Sequence, residues 1–237
     1  MNPHGAFRVS HGMRTRLLIA AAMLAAGAPL RAQVSVVDEG SFTITVGGRT
    51  GREDFRIVRA PVPGGMTLVA SGTSVVGTAR TVAVLRTDTT GAPIAYQLEA
   101  REGGEVRERI TAQVSRDRLA MRSQTPRGES AREYFLRDGM LILDEGEAHQ
   151  YYFLTLLARD TVTAVLPRRN VIAQFRVLSR GDEPIEIAGA NVVARHYVVG
   201  DAASERQLWT DAAGRVLRVE APALGLVAVR DALPVEH

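Results

Sequence analysis

The chain contains no cysteine. Disulfides, thiolate catalysis and Cys-bound zinc or iron–sulfur centres are excluded with it. Lysine is also absent, so all 29 basic residues are arginine. That removes the Walker-A lysine, Schiff-base chemistry and any Ser-x-x-Lys nucleophile. Histidine is scarce. Of the five in the chain, only His149 and His196 lie in the body of the expected mature protein, with His237 at its end. No His-Glu-x-x-His pair exists, nor a Gly-x-Ser-x-Gly elbow, a Gly-x-Gly-x-x-Gly turn or a phosphate loop. Beyond the leader, no run is apolar enough to cross the ~30 Å of a bilayer core.

What is present begins with the leader. Arg14 and Arg16 precede the short apolar run Leu17–Ala26, and small residues follow up to Ala32. This is the pattern of a secretory signal peptide over residues 1–32, with cleavage between Ala32 and Gln33. The expected product is exported, periplasmic or secreted, and soluble. It is not a lipoprotein, because no cysteine stands at the cleavage site. The leader holds four of the 29 basic residues and no acid, leaving 25 against 26 acidic residues. A mature chain so nearly neutral, with its charges mixed, does not suit nucleic acid.

From Ser41 onward the chain alternates in short period-2 runs. Ile94, Tyr96 and Leu98 share one face. Val106, Ile110, Ala112 and Val114 alternate with Arg107, Arg109, Thr111 and Gln113. Turn signals recur at Gly47-Gly48, Gly64-Gly65, Gly103-Gly104, Ser115-Arg116-Asp117, Arg137-Asp138-Gly139 and Gly181-Asp182-Glu183-Pro184. Such spacing predicts an antiparallel meander. A different pattern begins at Asp144. Asp144 and Glu147 are spaced as a capping box, and Ala148–Arg159 carries no Gly or Pro. Its apolar residues wrap around more than one face, which favours a buried helix over two short strands.

The fold expected is mainly β: a large, curved, half-barrel-like antiparallel sheet with one buried helix around 147–159. A single domain over 33–237 is expected. The helix would cover the concave face. Tyr151, Tyr152, Phe153 and Leu156 would then either fill the core or, if the sheet closes loosely, line an apolar pocket.

The remaining chemistry reads modestly. Asp88-Thr89-Thr90-Gly91 and Asp211-Ala212-Ala213-Gly214 carry one residue too many for aspartic-protease loops and suit β-turns capped by Asp. His149 and His196 suit packing or ordinary hydrogen bonds. Asp144, Glu145 and Glu147 could hold Ca²⁺ weakly, but helix capping explains them with fewer assumptions. No catalytic residue, metal ligand or cofactor site is assigned, and an enzyme is not expected.

The late segment Leu208-Trp209-Thr210-Asp211-Ala212-Ala213-Gly214-Arg215-Val216-Leu217-Arg218 is similar to a "Trp-x-Asp-x-x-Gly-x-x-x-Arg" segment. With the exported meander and helical plug, it resembles the periplasmic lipoprotein-carrier superfamily, the Lol-carrier-like half-barrels, and uncharacterised secreted β-proteins. The resemblance implies a concave apolar cavity for acyl chains, and hence a hydrophobic or lipid-like ligand. The alternative is an envelope protein–protein interaction module with a solid core and no ligand.

Overall fold

The computed structural model describes residues 33–200 and 204–236. The expected signal peptide, residues 1–32, lies outside the described residues; Gln33 begins them and is exposed. Among the described residues, no helix is long and apolar enough to cross a membrane.

Eight strands form the first meander: β1 (Ser35–Val46), β2 (Arg49–Val62), β3 (Gly65–Val76), β4 (Ala79–Asp88), β5 (Pro93–Glu102), β6 (Glu105–Ser115), β7 (Arg118–Thr125) and β8 (Gly128–Phe135). The chain then enters β9 (Met140–Ile142), a 3₁₀ turn (Ala148–Tyr151) and helix α1 (Tyr152–Leu157). A second meander returns through β10 (Thr161–Leu166), β11 (Val171–Ile187), β12 (Ala190–Gly200), β13 (Arg206–Thr210), β14 (Val216–Ala221) and β15 (Leu226–Arg230). Pairing of β15 with β1 fuses the two halves into one 15-stranded sheet with β8 and β9 at its edges.

The sheet curls because one face must surround the plug. Along a cross-strand row Ile57, Ala70, Leu85, Tyr96, Ala112 and Met121 lie side by side, all buried. The small Ala70 and Ala112 are interspersed among larger side chains, and all six belong to the same buried core as Tyr151 and Phe153. The curl does not close by backbone pairing. Instead the Tyr134 hydroxyl donates to Asn170 Oδ1 at 2.6 Å, and Arg132 Nη1 donates to the Asn170 carbonyl at 2.8 Å. These contacts tie edge strand β8 to the β10–β11 turn.

The seam between the halves, where β1 pairs with β15, also holds a buried ion pair. Arg230 on β15 meets Asp38 on β1 at 2.7 and 2.9 Å, with both residues buried. Its guanidinium lies 5.1 Å from the Phe55 ring centroid and 6.0 Å from that of Phe42, and also donates to the carbonyls of Glu39 and Val216.

The structure confirms a mainly β, curved sheet with one short helix, and departs from expectation in four places. First, β9 and β10 run parallel. A parallel pair needs a crossover, and the plug is that crossover. Second, the helical segment ends at Leu157, not Arg159, because Ala158 adopts a left-handed conformation (φ 46°). Third, the Asp144/Glu147 capping box does not form. Glu147 makes no side-chain cap bond, and Asp144 Oδ1 accepts from Gly146 N at 3.2 Å instead. Fourth, Gly181-Asp182-Glu183-Pro184 is no turn. It follows a bulge within β11 with Gly181 at φ 95°, and the chain reverses at Ala188-Gly189.

Candidate functional site

Both Asp-x-x-Gly segments are tight turns. Asp88 Oδ1 accepts from Thr90 N (2.8 Å) and Ala92 N (2.9 Å); Asp211 Oδ1 accepts from Ala213 N (2.9 Å) and Arg215 N (2.8 Å). Both carboxylates are thus engaged with their own backbones, as the turn reading requires. The two turns abut α1. A Cβ placed on Gly91 would lie 3.4 Å from Leu156 Cδ2, and the Thr155 hydroxyl donates to the Gly214 carbonyl at 2.9 Å.

The four residues expected as filling or pocket wall sit in the packed interior. Tyr151 and Phe153 are fully buried, Tyr152 is 8% exposed, and Leu156 packs partly buried against the core. Tyr152 and Phe153 meet edge to face, with centroids 5.6 Å apart. All four side chains pack in or against the hydrophobic core. Replacing Tyr152 by Ala is expected to lower stability by about 2–4 kcal/mol, less than a fully enclosed aromatic would. Urea unfolding checks it; a loss under ~1 kcal/mol would mean that the ring supports nothing.

What the interior adds is charge. Glu53 points inward from β2, in phase with Phe55 and Ile57. Its Oε2 accepts from Ala148 N at 2.8 Å, and its Oε1 accepts from His149 N at 3.0 Å. Oε1 also lies 2.6 Å from His149 Nδ1. A carboxylate only accepts, so the shared hydrogen sits on Nδ1. Glu53 thus does for the start of the helical segment what the capping box does not. The imidazole stacks on Phe55 at 5.9 Å over Gly72, where a Cβ would come within 2.4 Å of His149 Cε1.

Next to this pair, Glu147 Oε1 accepts from Ser74 Oγ at 3.3 Å and lies 3.7 Å from Arg168 Nη2. Asp144 Oδ2 accepts from the Tyr96 hydroxyl at 2.7 Å and from Arg168 Nε at 3.1 Å. Burial, reinforced by the charges of Glu53 and Asp144, pushes the Glu147 carboxyl well above its usual range. Burial beside Asp144 likewise raises the Tyr96 phenol. Burial alone would lower the Arg168 guanidinium, but Asp144 and Glu147 hold it above its ordinary value.

Above the cluster lies a cavity of about 250 Å³ at the mouth of the curled sheet. Val46, Leu143, Leu166, Leu224 and Leu226 give it apolar walls, and Arg168 and Arg169 flank it. Arg169 Nη1 lies 3.4 Å from Glu145 Oε2, and the other oxygen of Glu145 meets the buried Arg206. A larger depression of about 390 Å³ is a surface groove on β5–β8, lined by Gln97, Thr111, Ala120, Arg122 and Glu133 among others. It lacks the buried charged floor of the mouth cavity.

His196 packs as expected. Its ring stacks on Trp209 at 4.6 Å, and Nε2 lies 2.7 Å from Gln207 Oε1. Sequence reasoning placed no role on Glu53, Arg168 or Arg206. The one available signal was Glu53 itself, a carboxylate in the inward phase of a strand.

The chain matches no protein-family model and no curated protein by sequence. Its fold is similar to the crystal structure of a beta-barrel-like protein of the domain of unknown function DUF1849 from Brucella abortus. The TM-score is 0.52 at 8% identity, covering 86% of this chain and all of that one. The likeness is one of fold: a beta-barrel-like architecture.

Proposed function

We propose that the protein is an exported, non-catalytic binding protein that seats an apolar or amphiphilic, lipid-like group at the mouth of its curled sheet. The export part rests on the leader at 1–32. The observation that supports the binding part is the mouth cavity, with apolar walls, Asp144 and Glu145 in its lining, and Arg168 and Arg169 at its flank. Apolar walls with a few convergent charges are the usual make-up of a ligand site. At about 250 Å³ the cavity is smaller than the ~300–1,000 Å³ typical of drug-sized ligands. It suits the end of a chain or a single bulky group, with an anionic head against the guanidinium groups, and not a whole lipid. Tyr151 and Phe153 already fill the interior that a whole-lipid carrier would keep open. That same filled interior favours the second reading, an envelope interaction module with no small ligand.

The test is native mass spectrometry of the mature protein, purified without detergent, before and after addition of dodecanoate. A one-ligand adduct is expected. Arg169→Glu, at an exposed site, should weaken it by about 3- to 10-fold through lost charge attraction. No uptake by the wild-type protein would overturn the ligand reading and leave the interaction module.

A further inference from the structure

We propose that Glu53, Glu147 and His149 form a site for one divalent transition-metal cation, buried between β2, β3 and the 3₁₀ turn that starts the plug. The proposal rests on residues beneath the mouth cavity and does not depend on what that cavity binds.

Three observations carry it. The first is geometry. One ligand-type atom from each of the three side chains lies within 4.8 Å of the other two, and all three residues are buried. They come from distant parts of the chain, with Glu53 and His149 96 residues apart.

The second is charge. Glu53, Glu147 and Asp144 bring three carboxylates into one buried region, and Arg168 is the guanidinium that meets Asp144 and Glu147 there. Ser74 and Tyr96 face the same groups and add only neutral hydroxyls. Three carboxyls thus share the region with one guanidinium, and a divalent cation would add positive charge where the carboxyls outnumber it.

The third is unused coordination capacity. Glu147 Oε2 and His149 Nε2 are buried and have no hydrogen-bond partner. Buried polar atoms are rarely left so, and two such atoms on two of the three candidate ligands point to a missing ligand.

The supporting shell resembles that of known metal sites. Ala148 N and His149 N orient Glu53, and the Ser74 hydroxyl orients Glu147. One imidazole nitrogen with two carboxylates suits Zn²⁺ or Mn²⁺, and the absence of cysteine argues against soft cations. Because His149 Nδ1 gives its hydrogen to Glu53 Oε1 at 2.6 Å, the unprotonated Nε2 is the ring atom left to meet a cation, and the imidazole stays neutral without losing a proton.

The mature protein, stripped with EDTA and dialysed, is titrated separately with ZnCl₂ and MnCl₂. It is followed by native mass spectrometry and by thermal unfolding. The expected result is a mass gain of one cation per chain and a raised unfolding midpoint with at least one of the two metals. Glu147→Gln keeps shape and removes one ligand charge, and should weaken cation binding by about 100-fold or more while still folding. His196→Gln, at a histidine outside the cluster, should leave binding intact. The proposal is overturned if the wild-type protein takes up neither metal at millimolar concentration, or if Glu147→Gln binds as the wild type does. Either result would mean that protons alone balance the cluster.

Discussion

Replacing Glu53 by Ala is expected to remove about 4–6 kcal/mol of folding free energy, enough to leave much of the chain unfolded. The reason is the number of donors that depend on one carboxylate. Ala148 N, His149 N and His149 Nδ1 all converge on Glu53 at 2.6 to 3.0 Å, in a region with no exposed side chain among the pair. Each orphaned buried donor costs roughly 1–3 kcal/mol. Glu53→Gln separates loss of charge from loss of shape. Its amide oxygen still serves one or two of the donors, so it should lie between Ala and wild type. Equilibrium unfolding in urea with EDTA present, with helix and tertiary signals followed separately, checks both. If Glu53→Ala costs less than ~1.5 kcal/mol, the carboxylate does not anchor the plug.

Arg230→Ala is expected to cost about 3–5 kcal/mol, because it strands the buried carboxylate of Asp38 at the β1–β15 seam. The variant also strips a flat cation from the rings of Phe42 and Phe55. A salt bridge at the surface has no such effect. Arg107–Glu105, for example, with side chains 53% and 74% exposed, should contribute under ~1 kcal/mol. The decisive comparison is the double variant Asp38→Leu with Arg230→Met. It removes both charges together and should recover most of the loss, since a buried pair is often no better than apolar residues of similar volume. If the double variant is as unstable as Arg230→Ala, the loss arises from packing and not from an unpaired charge.

Most strands were readable because one face is buried and the other is not, as in β2 and β7. Val84 to Leu98 shows this best: apolar residues alternate on both sides of a turn, and Asp88 supplies the turn's hydrogen-bond acceptor from within the segment. The helix was readable in place but not in length, because the chain stops it with Ala158 in a left-handed conformation, which no Gly announces. Strand β9 runs parallel for only three residues, too few for any periodicity to show. Gly181 could serve a turn or a bulge equally well, and the partner strand β12 decided for the bulge.

The charged interior was not readable. Arg52-Glu53-Asp54 looks like any solvated stretch, yet Glu53 is fully buried while Arg52 and Asp54 are exposed. Its partners stand some 95 residues away, and Asp38 and Arg230 are 192 apart.

By itself, the sequence determined the mainly β class, the Asp-capped turns and the place of the aromatic plug. Each follows from interactions among near neighbours: alternation at period 2, a side chain bonding its own backbone, a run with no breaker. Only the tertiary structure decided the pairing of β15 with β1, the parallel crossover, and the meeting of Glu53, Glu147 and His149. Those depend on which distant groups share one low-dielectric interior, where every charge must be balanced by another that the local pattern does not reveal.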